Sequence, residues 1–265
     1  MTRTSGWMLT GSLLMAVTLS GCKPDAAIKH GAVVDGGKKT ESAPLDPTTL
    51  GTLSGTVRLE GKAPERIKID MSQDPACGMS GGGDNYSEQY VVHDGKLANV
   101  YLYLKVGPAA AMTAAGPANP IPVIMDQQGC RYTPHVIALM RGGSVEFHNS
   151  DLTMHNVHIM PISVGGKQLD ISQGPKGQPQ VVPFNDPAIM ESVRCNNHPW
   201  MNAFINVADT PFYAVTDADG HFTISGLPAG RYELAAIHEK LGEQTMSVTV
   251  KPQETVTADF KYTVK

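Results

Sequence analysis

Four residues of types that bind soft metal ions lie in two short stretches of the sequence. Cys195, His198 and Met201 follow one another at C-x2-H-x2-M spacing, and His155 lies in a separate upstream segment. A thiolate and two imidazoles in a plane, with a weak axial thioether, are the ligand set of blue copper sites. One loop can aim three of these side chains at a point, and a neighbouring strand can supply the fourth. The spacing therefore predicts one type 1 copper site with these four residues as ligands.

Zinc, or no metal at all, is the alternative for this cluster. Zn²⁺ binds Cys and His but gains little from a thioether, whereas Cu(I) is soft and binds Met well. A free thiol at Cys195 would be open to oxidation and mispairing in an oxidising compartment. The ligand types therefore favour copper.

The residues around the predicted ligands resemble the cupredoxins, the family of blue copper proteins, over roughly residues 97–208. The loop has the amicyanin and plastocyanin type of spacing, with Pro199 directly after His198. Upstream segments follow the family's order of strand, glycine turn, strand and first ligand: 132–136, 142–151 and 155–158. The sequence departs from the family pattern at the turn before Val145 and at 193–194, which leaves the four ligand positions intact.

The resemblance implies a cupredoxin-like Greek-key β-barrel or sandwich and assigns roles to residues near the ligands. Asn156 would tie the two ligand-bearing segments together and help to position the thiolate, and such outer partners tune a metal site. Pro199 and Trp200 would shape the copper loop. His198 would be the ligand nearest solvent, and an apolar rim with Trp200 and Met201 would receive a transient redox protein partner.

Residues 1–21 are predicted to be a signal peptide. Arg3 supplies a positive charge before a short apolar run, and the run ends in Leu19-Ser-Gly-Cys22, which resembles a bacterial lipobox. A transmembrane helix is disfavoured because the run is shorter than about 20 residues; an ordinary signal peptide is the other alternative. The resemblance implies a lipid anchor on Cys22 and a location in the bacterial cell envelope, facing the periplasm or the exterior. The inner and outer membranes both remain open.

The sequence contains four cysteines. With Cys22 assigned to the lipid and Cys195 to the metal, Cys77 and Cys130 remain. In an oxidising compartment we expect these two to form a disulfide. A second metal site that uses both with His135 is the alternative.

The composition indicates an all-β protein with many turns. Charged residues make up 17% of the 265 residues, hydrophobic residues 41%, and there are 27 Gly and 19 Pro. The net charge of −4 and the lack of a Lys/Arg cluster argue against nucleic-acid binding.

Two β units are expected after a flexible linker at 22–50. We assign 51–208 to a cupredoxin-like domain with an N-terminal β extension, in which 74–84 forms an irregular surface loop. The sequence leaves open whether 51–106 pairs with the cupredoxin sheet or with the chain's C-terminal strands. Residues 209–265 resemble the carboxypeptidase regulatory-like (transthyretin-like) β-sandwich through D-G-x-F at Asp219 and L-P-x-G-x-Y at Leu227.

These features predict a lipid-anchored carrier of single electrons and not an enzyme. G-x-S-x-G, H-E-x-x-H and phosphate-loop motifs are missing from the sequence, and the other His residues are too scattered for a multicopper oxidase. A copper storage or delivery protein is one alternative. A structural or surface-binding β protein with a non-redox cupredoxin domain is the other. The sequence leaves the oligomeric state open.

Overall fold

The computed structural model describes residues 45–80, 85–161 and 168–264. These residues belong to one compact unit, Glu41–Lys265. The predicted signal peptide, Cys22 and most of the predicted linker lie outside the described residues. Within the described ranges, the helices are too short or too polar to span a membrane.

Strands make up about half of the described residues and helices only a small fraction, which confirms the predicted all-β fold class. The first strands are β1 (Leu50–Glu60), β2 (Val92–His93), β3 (Lys96–Leu97), β4 (Tyr101–Val106), β5 (Val123–Gln127), β6 (Tyr132–Thr133), β7 (Val136–Met140), β8 (Ser144–Asn149), β9 (His155–Ile159) and β10 (Leu169–Gln173). The next are β11 (Gln180–Pro183), β12 (Ala188–Arg194), β13 (Asn202–Ala208), β14 (Tyr213–Val215), β15 (His221–Pro228), β16 (Gly230–His238), β17 (Gly242–Val250), β18 (Thr255–Thr257) and β19 (Phe260–Thr263). Two short helices, α1 (Pro75–Ser80) and α2 (Ala109–Met112), and a 3-10 turn (Pro47–Thr49) complete the elements.

The first and last parts of the described chain form one β-sandwich. Strand β1 pairs with β15 and β3 in antiparallel fashion and with β18 and β19 in parallel. In the second sheet β4 lies between β14 and β16, and β17 pairs with β16. Side chains from both sheets share one core, which includes Leu53, Val57, Leu102, Ile224, Leu234 and Val250.

We assigned residues 51–106 to the cupredoxin-like domain but left their pairing open, and in the structure β1 and β4 pair with the C-terminal strands. The glycines of β1 give a physical reason. A Cβ on Gly55 would lie 2.3 Å from the Ala258 carbonyl oxygen, and one on Gly51 would lie 2.8 Å from the Glu254 carbonyl oxygen. Glycine at both positions therefore lets the C-terminal chain lie directly against β1. The local pattern of β1 predicts a strand but does not identify partners this far along the chain.

The middle of the chain forms a second pair of sheets around a separate core. One has the order β10-β9-β12-β13-β7 and the other β11-β8-β5-β6. In β8, Val145, Phe147 and Asn149 are buried and alternate with less buried neighbours, as expected for a strand with one face on a core. The turn between β12 and β13 carries Cys195, and β9 lies beside β12.

A buried polar cluster joins the segment before β7 to the turn after β16. His135 Nε2 lies 2.6 Å from a Glu239 carboxylate oxygen, and both side chains are almost fully buried. The other ring nitrogen of His135, Nδ1, is 3.2 Å from the Asn202 carbonyl oxygen. His238 is buried next to this pair, and its Nδ1 accepts a hydrogen bond from the Lys240 backbone N–H.

We expect His238 to make the fold sensitive to acid. Burial lowers the pKa of His238 from its usual 6.5 to about 4 and outweighs the nearby Glu239 carboxylate, which raises it. The unfolded chain therefore takes up the proton first. The stabilisation that neutral His238 gives to the fold is complete above about pH 6.5. It is lost progressively as pH falls from about 6.5 to about 4, with a loss of about 2 kcal/mol by pH 4.5.

Urea unfolding at pH 7.5 and 4.5 measures this contribution. The variant His238→Asn keeps an acceptor for the Lys240 N–H but cannot take up a proton, so its free energy of unfolding should depend less on pH. His221→Asn, at an exposed position, is the matched control and should behave like the parent protein. Equal pH dependence in parent and His238→Asn would contradict the assignment.

Candidate metal centre

Three of the predicted ligands lie together between β9 and the β12–β13 turn. The donor atoms of His155, Cys195 and His198 are all within 4.8 Å of one another. Their exposed fractions are 0%, 4% and 3%, so bulk water is excluded from the cluster. His155 is the first residue of β9, while Cys195 directly follows β12. The antiparallel pairing of β9 with β12 brings the two segments to the same end of the sheet.

Both imidazoles turn the same nitrogen towards the centre of the cluster. The Nδ1 atoms of His155 and His198 are 2.9 Å apart, and His198 Nδ1 is 3.6 Å from the Cys195 sulfur. The outer nitrogens face carboxylates: His155 Nε2 lies 2.9 Å from Asp151 Oδ2, and His198 Nε2 lies 3.0 Å from Asp74 Oδ2. Because an ionised carboxylate only accepts, each Nε2 must donate.

The facing nitrogens need a proton or a metal ion between them, because two bare lone pairs at this distance repel. Burial alone would lower the pKa of His155, but Asp151 and Cys195 raise it to about 9. The extra proton on His155 Nδ1 can therefore donate to His198 Nδ1. A bound cation would replace that proton, as is usual when histidines take up a metal. The donor set therefore fits a thiolate and imidazole metal centre.

Hydrogen bonds favour the thiolate form of Cys195. Burial alone would raise the pKa of this thiol, but hydrogen bonds from His155 and from the backbone N–H groups of Asn156 and Asn197 outweigh it and lower the pKa to about 6. The Asn156 N–H lies 3.3 Å from the sulfur. The thiolate is the form that binds metals.

Asn156 connects the ligand segments through its backbone. Its side-chain amide donates instead to β10, to Ser172 Oγ at 3.0 Å and Asp170 Oδ1 at 3.2 Å. The contact between the two segments therefore comes from a backbone group that every residue except proline carries. No feature of the side chain could have predicted it.

Met201 closes the ligand loop through backbone hydrogen bonds. It is 1% exposed and belongs to the same buried apolar cluster as Cys195. Its N–H donates to the His198 carbonyl at 2.9 Å, and its carbonyl accepts from the Cys195 N–H at 3.2 Å. Trp200 packs against the His198 ring with 5.1 Å between ring centroids and donates from Nε1 to the Cys130 carbonyl. Pro199, the other predicted loop residue, is exposed.

His198 does not face solvent, contrary to what the resemblance implies. Its outer edge is covered by Asp74 and by Cys77, whose sulfur lies 3.6 Å from Nε2. Both come from the segment that we expected to be an irregular surface loop. Residues 75–80 instead form α1, and Asp74 Oδ1 accepts from the Ala76 N–H at 2.8 Å. Asp before Pro is a helix-start pattern, so the sequence did carry a signal for α1.

The predicted disulfide between Cys77 and Cys130 is confirmed. It joins α1 to the turn before β6, next to Trp200 and the candidate ligands. Both sulfurs are used, so the alternative second metal site with His135 is excluded in this oxidised form. Among the described residues, Cys195 is the free cysteine.

The comparisons with known proteins match only parts of the chain. Residues 193–263 match the family model of the carboxypeptidase regulatory-like domain, which supports the resemblance predicted for 209–265 and extends it upstream through the loop that carries Cys195 and His198. No curated protein sequence matches the chain significantly.

Solved structures similar to part of the chain include copper proteins and a cupredoxin. A Cu-containing nitrite reductase from Thermus scotoductus is 24% identical with a TM-score of 0.31, over 39% of this chain and 27% of that chain. A mutant of amicyanin in the Cu(I) state is 17% identical with a TM-score of 0.30, over 40% of this chain and 97% of that one. A purple cupredoxin from Nitrosopumilus maritimus is 18% identical with a TM-score of 0.27, over 32% of this chain and 98% of that one.

Proposed function

We propose that this chain is a blue copper protein that transfers single electrons in the bacterial cell envelope, where a lipid on Cys22 anchors it. The observation that carries the proposal is the convergence of three donors. Two imidazole Nδ1 atoms and a thiolate face one another in a buried space, and a buried Met201 closes the same loop. This is the donor set that favours copper over zinc.

The residues of the chain hold this arrangement rigid. Carboxylates fix the outer nitrogens of both histidines, and the Asn156 N–H donates to the thiolate. When bound, copper would supply a one-electron change between Cu(II) and Cu(I). A ligand set that is already fixed needs little rearrangement between these two states. The near-complete burial of the ligands also leaves a substrate no direct path to the centre, which favours electron transfer over catalysis.

A transient redox partner would dock over the surface that lies above His198. A shallow cleft there is lined by Asp74, Met154 and Trp200, among others, and Met154 is 49% exposed. Small, partly apolar surfaces of this kind suit weak and short-lived redox complexes. Trp200 packs on the His198 ring and extends the site towards this cleft.

Copper storage or delivery is the second candidate, and the coverage of His198 favours it. A ligand closed off by Asp74 and the Cys77–Cys130 disulfide would retain its metal well, whereas an electron carrier needs a short route to its partner. The two functions differ in one measurable property, the rate of electron exchange.

A visible absorption spectrum of the copper-loaded protein tests the proposal. One copper per chain with an intense red absorption band, from thiolate-to-Cu(II) charge transfer, is the expected result; zinc-loaded protein is the colourless control. Stopped-flow reduction and reoxidation then separates the two candidates, because a storage protein would exchange electrons slowly. Stoichiometric copper without the red band would rule out a type 1 site.

A further inference from the structure

One carboxylate connects three segments around the cluster of candidate ligands His155, Cys195 and His198. Asp74 Oδ1 accepts from the N–H groups of Ala76 at 2.8 Å and Cys77 at 3.4 Å, at the start of α1. Its other oxygen, Oδ2, accepts from Thr153 Oγ1 at 2.9 Å and His198 Nε2 at 3.0 Å. Thr153 lies in the turn that leads to His155. Asp74 therefore contacts α1, the turn before the first ligand and the loop with the other ligands.

The contact fixes the tautomer of His198. Because Asp74 Oδ2 accepts, the proton of the neutral ring lies on Nε2, and Nδ1 keeps its lone pair. That lone pair faces the Cys195 sulfur and His155 Nδ1. The acceptor on the outer edge of the ring thus decides which nitrogen is available at the inner edge.

Asp74 is itself held in place. The Cys77–Cys130 disulfide lies three residues further along the chain and fastens α1 to the turn before β6. Trp200 packs on the His198 ring, while the Cys77 sulfur lies 3.6 Å from its Nε2. The His198 ring is therefore clamped by residues from two distant parts of the chain and cannot turn away without breaking these contacts.

We propose that Asp74 is a positioning residue that holds His198 on the metal in both oxidation states, with α1 acting as a cap that slows release of the metal. The inference rests on the proposed copper site. It assigns a role to a segment that precedes the region of cupredoxin resemblance.

The variant Asp74→Asn tests the proposal with an almost unchanged side-chain shape. Its amide oxygen can still accept from the Ala76 N–H and preserve the start of α1. Its NH₂ group then faces His198 Nε2 and donates, so His198 must carry its proton on Nδ1, the metal-facing nitrogen. Cu(I) affinity, measured by competition with a chromophoric Cu(I) chelator, should fall about 10–100-fold, as is typical when an outer partner of a metal-binding His is lost.

The control is Asp70→Asn, the same chemical change four residues earlier. Asp70 Oδ1 accepts from the Ser72 N–H at 2.9 Å, and the side chain is exposed. This variant should keep the parent affinity for Cu(I). An equal loss in both variants, or no loss in Asp74→Asn, would overturn the proposal.

A second readout does not depend on metal. Nitrogen NMR of metal-free protein at a fixed alkaline pH should show the His198 proton on Nε2 in the parent and on Nδ1 in Asp74→Asn. If the parent fails to bind copper while the tautomers differ as expected, the copper function falls, and only the role of Asp74 in setting the His198 tautomer stands. Identical tautomers in the two proteins would refute that role. If Asp74→Asn does not fold, Asp74→Ser, which keeps a capping oxygen but cannot reach His198, carries the same test.

Discussion

Replacing Cys195 with Ser should abolish the red absorption band and reduce copper affinity by more than the roughly 10–100-fold typical of losing an outer partner. In the proposed copper site the band would arise from the thiolate, which hydrogen bonds already favour by lowering the pKa of Cys195 to about 6. A serine hydroxyl stays protonated at neutral pH and is a poor ligand for Cu(I). The measurement is a visible spectrum together with a copper titration.

The fold should survive this substitution. Cys195 lies in the turn after β12, and the core around it is built from strand residues such as Val193 and Ile205. We expect the free energy of unfolding to fall by no more than about 1–3 kcal/mol, the cost of burying an imperfectly paired hydroxyl. Asn196→Ala, one position further and exposed, is the control and should keep colour and stability. A blue spectrum without the Cys195 thiol would disprove the ligand assignment.

The ligand-bearing loop was predictable because its information is local. C-x2-H-x2-M spacing places Cys195, His198 and Met201 in one turn, and the alternating strands on either side place that turn at the end of a sheet. The disulfide followed from the small number of cysteines once the compartment was inferred. Each of these predictions depended on residue types and spacings that can be read directly from the sequence.

The surroundings of the ligands were not predictable in the same way. Asp74 and His198 are 124 residues apart, and their contact depends on α1 and on the disulfide. The cupredoxin resemblance starts near residue 97, so it carried no information about a cap from the preceding segment. The exposure of His198 was therefore inferred from a family that the sequence resembles, whose members need not have such a cap. Likewise, the pairing of β1 with the C-terminal strands depends on contacts that no short pattern encodes.

Removing the disulfide should have the largest effect on stability. The variant with Cys77→Ala and Cys130→Ala frees a loop with a sequence separation of 53, for which the loop-entropy estimate is about 4 kcal/mol. Both sulfurs are fully buried, so lost packing adds to the cost. Chemical unfolding of the parent protein under reducing conditions should approach the result for the double variant. The double variant itself should not respond to the reductant, and a parent that does not respond either would contradict the prediction.

The same double variant should also release Cu(I) faster. Without the disulfide, α1 is no longer fastened to the turn before β6, so Asp74 is held less firmly against His198. A double-mutant cycle separates this effect from general destabilisation. If the disulfide acts through Asp74, adding Asp74→Asn to the double variant should change Cu(I) affinity much less than it does in the parent protein. Additive losses would mean that the disulfide and Asp74 support the site independently, and α1 would then contribute to stability without acting as a cap on the metal.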